Sequence, residues 1–297
     1  MEAQLIPVAG PIPEWMLTAI AAATIFAVML DVGLGVALGE FRWILRHPAL
    51  VAKSLFAVLI AVPALALLAC RLLELPRAVE IGIVLMSISP GAPVALRRSL
   101  DAGGHRSFAP ALQILLALIA VVSMPLSVAA LDHYYRGHAS VAPSVVARQV
   151  LFAQLLPLGA GILARRAFPA LASSLARWIG PLGAVLLAVL AVVAIVDVWE
   201  VVARAGARVG LAIVLITAFA LAVGHLMGGP DEGTRTAVAI SSAARNPGLA
   251  LLVAALNAAE TAVSATVLSY LAMSALTVLP YLLWRRLGGR SAGPVGG

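Results

Sequence analysis

Arg245 stands in the middle of an apolar run and is followed at once by Asn246, Pro247 and Gly248. A guanidinium at the centre of a hydrophobic helix costs about 2.5–3.5 kcal/mol to insert, and each neighbouring Leu, Ile or Val returns only ~0.3–0.6 kcal/mol. The segment still inserts, but the charge needs a partner or water. Two functional roles fit it: a dock for an anionic substrate, or a fixed positive charge where another carrier would bind a mobile cation. A structural role, with the arginine paired to carbonyls of the broken third segment around Ser89-Pro90-Gly91 or to Asp31, stands beside them. Asp31 is itself deep in the run Phe26-Ala27-Val28-Met29-Leu30-Asp31-Val32-Gly33. Facing a cavity, it is a candidate for proton coupling; paired with an arginine, it only holds helices together.

The proline and glycine after Arg245 have a counterpart in the first half of the chain, Ser89-Pro90-Gly91-Ala92-Pro93. A helix broken inside the bilayer frees carbonyls and amides, which survive there only when buried in protein or lining a watery cavity. Interrupted segments at matching places in two halves point to a transporter's substrate site. Each helix restarts after its prolines, near Val94 and Gly248, and each restart offers unpaired amides and the positive end of a helix dipole. Such ends attract anions; the carbonyls of the half-helices that stop there attract cations. Two simple proline kinks are the plainer alternative. Ser241 and Ser242 adjoin the second break and join the candidate site. Gln113 is a further polar candidate, facing a cavity or bonding across helices. Arg97 and Arg98, about one turn past the first break, read first as ordinary cytoplasmic anchors and second as lining of an inner vestibule.

Composition sets the class. The chain is 62% hydrophobic and only 11% charged over 297 residues, with a mean hydropathy of +1.05, against roughly 25% charged for a soluble domain. It reads as an all-α integral membrane protein. The net charge of +7 does not imply nucleic acid, because most arginines flank apolar runs, as they do at a cytoplasmic face. Cys70 is the single cysteine and reads as an apolar space-filler. His47, His105, His133 and His138 fall in loops or at their edges. No metal-ligand spacing, HExxH, GxSxG or P-loop occurs, so neither an enzyme nor a cofactor is expected. Residues Met1 to Glu14 lack the charged start of a cleaved signal peptide, and the first span is expected to stay as an anchor.

With about 20 apolar residues needed per span, nine segments can be laid out: approximately Trp15–Leu38, Ala49–Leu72, Ala78–Leu100, Ser107–Leu131, Pro143–Ala164, Leu175–Val198, Val209–Met227, Thr234–Leu256 and Thr261–Trp284. The longer connections are Asp132–Ala142 and Arg165–Ser174. Thirteen Lys and Arg residues, among them Arg42, Arg97, Arg106, Arg177, Arg235 and Arg285, fall on one side, against six on the other. The excess marks the cytoplasm, which puts the amino terminus outside and the carboxy terminus inside, in a bacterial-type inner (plasma) membrane. The two broken segments then run antiparallel, as inverted repeats require. The chain divides into one transmembrane domain, 1–297, with repeat one about 1–138, repeat two about 139–290 and a flexible tail at 291–297.

Several stretches together resemble the bile acid:sodium symporter family. Met29-Leu30-Asp31-Val32-Gly33-Leu34, Glu40-Phe41-Arg42, His47-Pro48 and Val62-Pro63 are similar to that family's opening. Ser89-Pro90-Gly91 resembles its first crossover motif, Asn246-Pro247-Gly248-Leu249-Ala250 its second, and Met124-Pro125-Leu126 its following core helix. The resemblance implies a core domain with two crossing broken helices that rocks against a smaller panel, here segments one, five and six, to give alternating access. It also implies organic-anion substrates moved with sodium.

At the family's sodium sites the chain departs from that pattern. Sodium-coupled members carry a glutamate five residues before the crossover asparagine and a glutamine directly before it, where this chain has Ser241 and Arg245. A polar pair after the first break is replaced around Ala92-Pro93-Val94. Gln113 and Ala117 stand where the family has a serine and a threonine, and Val58 where it has a glutamine. A cation beside a fixed cation is repelled by about 4 kcal/mol at ~4 Å for an effective dielectric of roughly 20. Sodium is therefore not expected at the family's usual sites. The expected function is a secondary-active or facilitative transporter of a small organic anion, not coupled to sodium, with Arg245 at the crossover and the lipid bilayer as its surroundings. Two alternatives stay open: a sodium symporter with displaced ligands, for which Asp31 and Gln113 are the candidates, and a non-transporting receptor or structural module locked by Arg245.

Overall fold

The computed structural model describes residues 14–35, 40–134, 144, 147–148, 151–205, 207–256 and 261–291. Every regular element among them is helical. In order these are α1 (Glu14–Gly35), α2 (Glu40–Arg46), α3 (Pro48–Phe56), α4 (Val62–Leu72), α5 (Arg77–Ser87), α6 (Pro93–Asp101), α7 (Phe108–Tyr134), α8 (Leu156–Ala167), α9 (Pro169–Ala205), α10 (Ala207–Met227), α11 (Glu232–Ala243), α12 (Pro247–Leu256) and α13 (Thr261–Ser291). A π turn at Ala57–Ala61 joins α3 to α4, and another at Leu151–Leu155 leads into α8.

Among the described residues, five stretches are long and apolar enough to cross a membrane by length and composition: Pro48–Leu72, Phe108–Leu131, Ala207–Met227, Glu232–Ala254 and Ala262–Leu287. They coincide with the second, fourth, seventh, eighth and ninth expected segments. The expected first segment contains a shorter apolar helix, Ala22–Gly35, and the third is present as α5 and α6 on either side of a break. The fifth and sixth overlap α8 and α9. The expected start, most of the Asp132–Ala142 connection and the tail from 292 onward lie outside the described residues, as does Asn257, a polar residue that by type could face a cavity or bond across helices.

Large apolar side chains face outward, as a lipid-bathed surface demands. Leu118, Val122 and Leu126, one turn apart on α7, are 45%, 60% and 65% exposed. The largest buried cluster lies between α4, α5, α10, α11, α12 and α13, with Ile83, Ile216, Ile240 and Val267 fully enclosed. A second cluster joins α1, α7 and α8 through Ile25, Met29, Ile114 and Leu158.

Without a hydrophobic drive between helices in lipid, close packing rests on small residues. At the α1–α8 crossing Gly33 and Gly161 meet backbone to backbone: a Cβ on Gly161 would lie 2.6 Å from the Leu30 carbonyl oxygen and 2.8 Å from the Gly33 Cα. α1 also lies along α9, where Gly183 receives Val28. Ion pairs fasten the helix ends. Arg285 of α13 pairs with Glu232 of α11, and Arg286 with Asp101 of α6 at 3.8 Å. At the opposite end Arg71 of α4 lies 3.6 Å from Glu80 of α5.

Candidate functional site

Both expected breaks are present, and they touch. α5 stops at Ser87, and the chain passes through Ser89, Pro90, Gly91 and Ala92 before α6 begins at Pro93. Gly91 takes φ +78°, a left-handed conformation that glycine enters without a Cβ penalty. Pro93 sits at the first position of α6, where its missing N–H removes a bond the helix does not make. The Gln113 side chain of α7 donates from Nε2 to the Ala92 carbonyl at 2.9 Å, and Ser89 Oγ donates to Leu85 O at 2.7 Å.

The second break follows the same logic. α11 ends at Ala243, and α12 starts at Pro247. Asn246 caps α12, its Oδ1 accepting from the Leu249 N–H at 3.1 Å, as side-chain oxygens do at helix starts. Its own N–H donates to the Ser89 carbonyl at 3.0 Å, so the two breaks are joined backbone to backbone. The whole apolar window of Glu232–Ala254 is enclosed by protein, which gives the freed backbone groups partners away from lipid.

Arg245 is 4% exposed. Its Nη1 donates to Ser87 O at 2.9 Å and to Val58 O at 3.0 Å. Both acceptors are free because of the local chain. Ser87 is the last residue of α5, where carbonyls lose their intrahelical donors. Val58 lies in the π turn, in which the Val62 N–H reaches back to Ala57 O. The donor five residues past Val58 is Pro63, which has no N–H, so that carbonyl is left for the guanidinium. Nε and Nη2 of Arg245, Nδ2 of Asn246 and Oγ of Ser242 are buried without a hydrogen-bond partner among the described residues.

Two cavities meet here. The larger, about 700 Å³, lies between α1, α6 and α9, and its walls include Asp31, Arg97, Arg106 and Arg177. The smaller, about 40 Å³, sits at the crossover itself. Ala92 and Val94 from the start of α6, Asn246 to Gly248 from the start of α12, Arg98 and Arg245 line it, with Thr24 of α1 and Ser274 of α13. Val28 and Val94 border both spaces.

The structure thus brings Ala92, Arg245, Asn246, Pro247 and Gly248 to one pocket, with Ser89, Pro90 and Gly91 forming the buried loop behind it. Ser241 and Ser242 are buried in the last turn of α11 and do not line that pocket. Asp31 is elsewhere, in the larger cavity, against Gly180. No ion pair joins it to Arg245 among the described residues, so of the two structural partners expected for the arginine it is the carbonyls that are used. Gln113 braces the first break. Arg97 and Arg98, read first as anchors, line the larger and the smaller cavity respectively. Sequence reasoning missed the Val58 carbonyl, although Pro63 is the signal for it.

No curated protein matches the chain at a significant level. A family model does match, that of the sodium bile acid symporter family, over residues 22–205. The matched stretch runs from α1 through the first break to the end of α9. Multiple apolar helices, a helix broken in mid-run and a match across well over half its length agree: the chain is a multi-pass membrane protein that belongs to the sodium bile acid symporter family.

Proposed function

We propose that the chain is a transporter of a small organic anion, secondary-active or facilitative, that works by alternating access without sodium coupling. The carrying observation is the position of the Arg245 guanidinium. It holds the Ser87 and Val58 carbonyls that a bare cation at the crossover would need as oxygen ligands, and it carries a charge that repels such a cation. The arginine then does permanently what a bound ion does transiently, holding the two broken helices together with positive charge at their crossing. The cavity of about 700 Å³ that borders the crossover pocket supports a transport route more than a locked module. The displaced-sodium reading gains little: Gln113 Oε1 is a buried oxygen without a hydrogen-bond partner among the described residues, but Asp31 lies in the larger cavity, which Gln113 does not line, so the two candidates do not share one site.

On this reading α1, α8 and α9 form the panel, a grouping supported by the glycine contacts of α1 with both partners, and the broken helices belong to the core. The nine-segment inverted repeat, with the amino terminus outside, puts the larger cavity on the cytoplasmic side, since its arginines belong to the more basic set. The test is thermal stability of the purified protein in a sodium titration at fixed ionic strength with choline as control. A ligand that binds only the folded state raises stability as it passes its dissociation constant. The native chain is expected to show no sodium effect, and Arg245→Gln to acquire one. Specific stabilisation of the native chain by sodium would overturn the sodium-independent reading.

A further inference from the structure

The crossover pocket carries more positive charge than a single carboxylate neutralises. Arg245 and Arg98 both line it, no acidic residue does, and neither arginine has an acidic partner within ion-pair distance among the described residues. The carbonyls that hold Arg245 are neutral acceptors, so they orient its charge without cancelling it. The starts of α6 and α12 converge on the same space, and each helix start adds a partial positive charge and unpaired N–H groups. Arg245 Nε and Nη2 and Asn246 Nδ2 are buried donors with no partner among the described residues, and buried donors of this kind call for an acceptor. The volume of about 40 Å³ exceeds the ~10–15 Å³ one water needs, enough for a compact head group of a few atoms and too little for a whole organic molecule.

We infer that the crossover pocket selects a compact, doubly charged head group such as that of a phosphate monoester, with Arg98 as the residue that sets the preference for two charges over one. This rests on the anion-transport reading and deepens it. The organic part of the substrate extends past Val28 and Val94 into the larger cavity, whose Arg97, Arg106 and Arg177 favour anionic substituents and whose Asp31 faces them. Phosphodiesters, with one charge, fall outside the selected class.

The test uses two probes of the same shape and different charge, methyl phosphate and methyl sulfate, on the full-length purified protein at pH 8 and fixed ionic strength, with thermal stability as the readout. A phosphate monoester has its second pKa near 6, so methyl phosphate is a dianion at that pH and methyl sulfate a monoanion. Half-maximal stabilisation is expected at a concentration at least about tenfold lower for methyl phosphate, the ratio one well-placed extra charge supplies. Arg98→Gln should bring the ratio to roughly one and Arg98→Lys should keep most of it. In the native chain, which needs no variant to fold, the preference should fade as pH drops from 8 to 5 while the methyl sulfate response stays level. Equal stabilisation by both probes, unchanged in Arg98→Gln, overturns the dianion assignment and leaves the anion reading standing. No stabilisation by either probe, nor by the short carboxylates propionate and succinate, overturns both.

Discussion

The Arg245 guanidinium and the Val58 carbonyl lie 187 residues apart in the chain and 3.0 Å apart in space. The bond exists because Pro63 withholds the N–H that would otherwise occupy that carbonyl in the π turn, and π turns recur at functional sites for this kind of reason. A charged donor on a carbonyl contributes about 1.5–3 kcal/mol, and Arg245 makes two such bonds. Against this stands the ~2.5–3.5 kcal/mol that a mid-helix arginine costs on insertion.

Two such bonds total about 3–6 kcal/mol, so the net contribution of Arg245 lies between roughly zero and 3.5 kcal/mol, that of a modest stabiliser at most. Arg245→Met, an apolar side chain of similar length, is expected to stay folded and to unfold within about 3.5 kcal/mol of the native chain in detergent titration. Stabilisation by anionic probes should fall at least about tenfold in the same variant. A loss of stability well beyond that range would make the arginine a structural keystone instead.

Asn246 offers a second separation of fold from function. Its Oδ1 is the cap of α12, so Asn246→Ala should destabilise the protein by about 0.5–2 kcal/mol. Asn246→Asp keeps the capping oxygen and adds a carboxylate at a helix start, next in sequence to Arg245, where it is favourable by ~0.3–1 kcal/mol or more. That variant should match or exceed native stability while losing anion binding, because the pocket now holds its own counter-charge. Retained anion binding in Asn246→Asp would place the anion elsewhere.

Both breaks were legible because proline and glycine act locally: Pro93 and Pro247 start helices, Gly91 turns the chain, and Asn246 caps, all from residue type and spacing. Arg245 was legible as an anomaly through its transfer cost alone. Of its partners, a carbonyl of the broken third segment was expected, and Ser87 O is one; the Val58 carbonyl was not, since its availability depends on how the second segment loosens into a π turn. Arg98 was read as an anchor because a basic residue one turn past a break has the same local pattern whether it faces headgroups or a cavity. Only the convergence of α6, α12 and α13 decides that, and convergence is a long-range property. Asp31 was legible only as a choice between facing a cavity and pairing with an arginine, and the choice again rests on a long-range property: α1 turns it toward α9 and the larger cavity.

Two glycines on α8 give a matched pair for helix packing. Gly161 meets the α1 backbone, with Leu30 O 2.6 Å from where a Cβ would stand, whereas nothing lies within 4 Å of a Cβ at Gly159. Backbone cannot rotate away as a side chain can, so Gly161→Ala should lose about 1–3 kcal/mol through overpacking. Gly159→Ala should be neutral or gain up to ~1 kcal/mol from helix propensity. Detergent unfolding of the two variants side by side reads the contrast. Equal effects would mean that α1 and α8 do not cross at Gly33 and Gly161.

Access to the larger cavity can be read with chemistry that the native sequence leaves clear. Cys70 is 1% exposed, so a membrane-impermeant maleimide should barely label the native chain. Asp31→Cys places a thiol on the cavity wall and should label rapidly from the face that carries Arg97 and Arg106, which is the cytoplasmic one in the proposed orientation. In vesicles this means strong labelling when the membrane is inverted and little when it is right side out. Ala237→Cys, at a position with no exposed surface, should resist the reagent from both sides and controls for unfolding. Labelling of Asp31→Cys from the opposite face alone would reverse the orientation drawn from the arginines. Resistance from both faces would show a cavity closed to water, and with it a resting state in which the crossover is sealed from the cytoplasm.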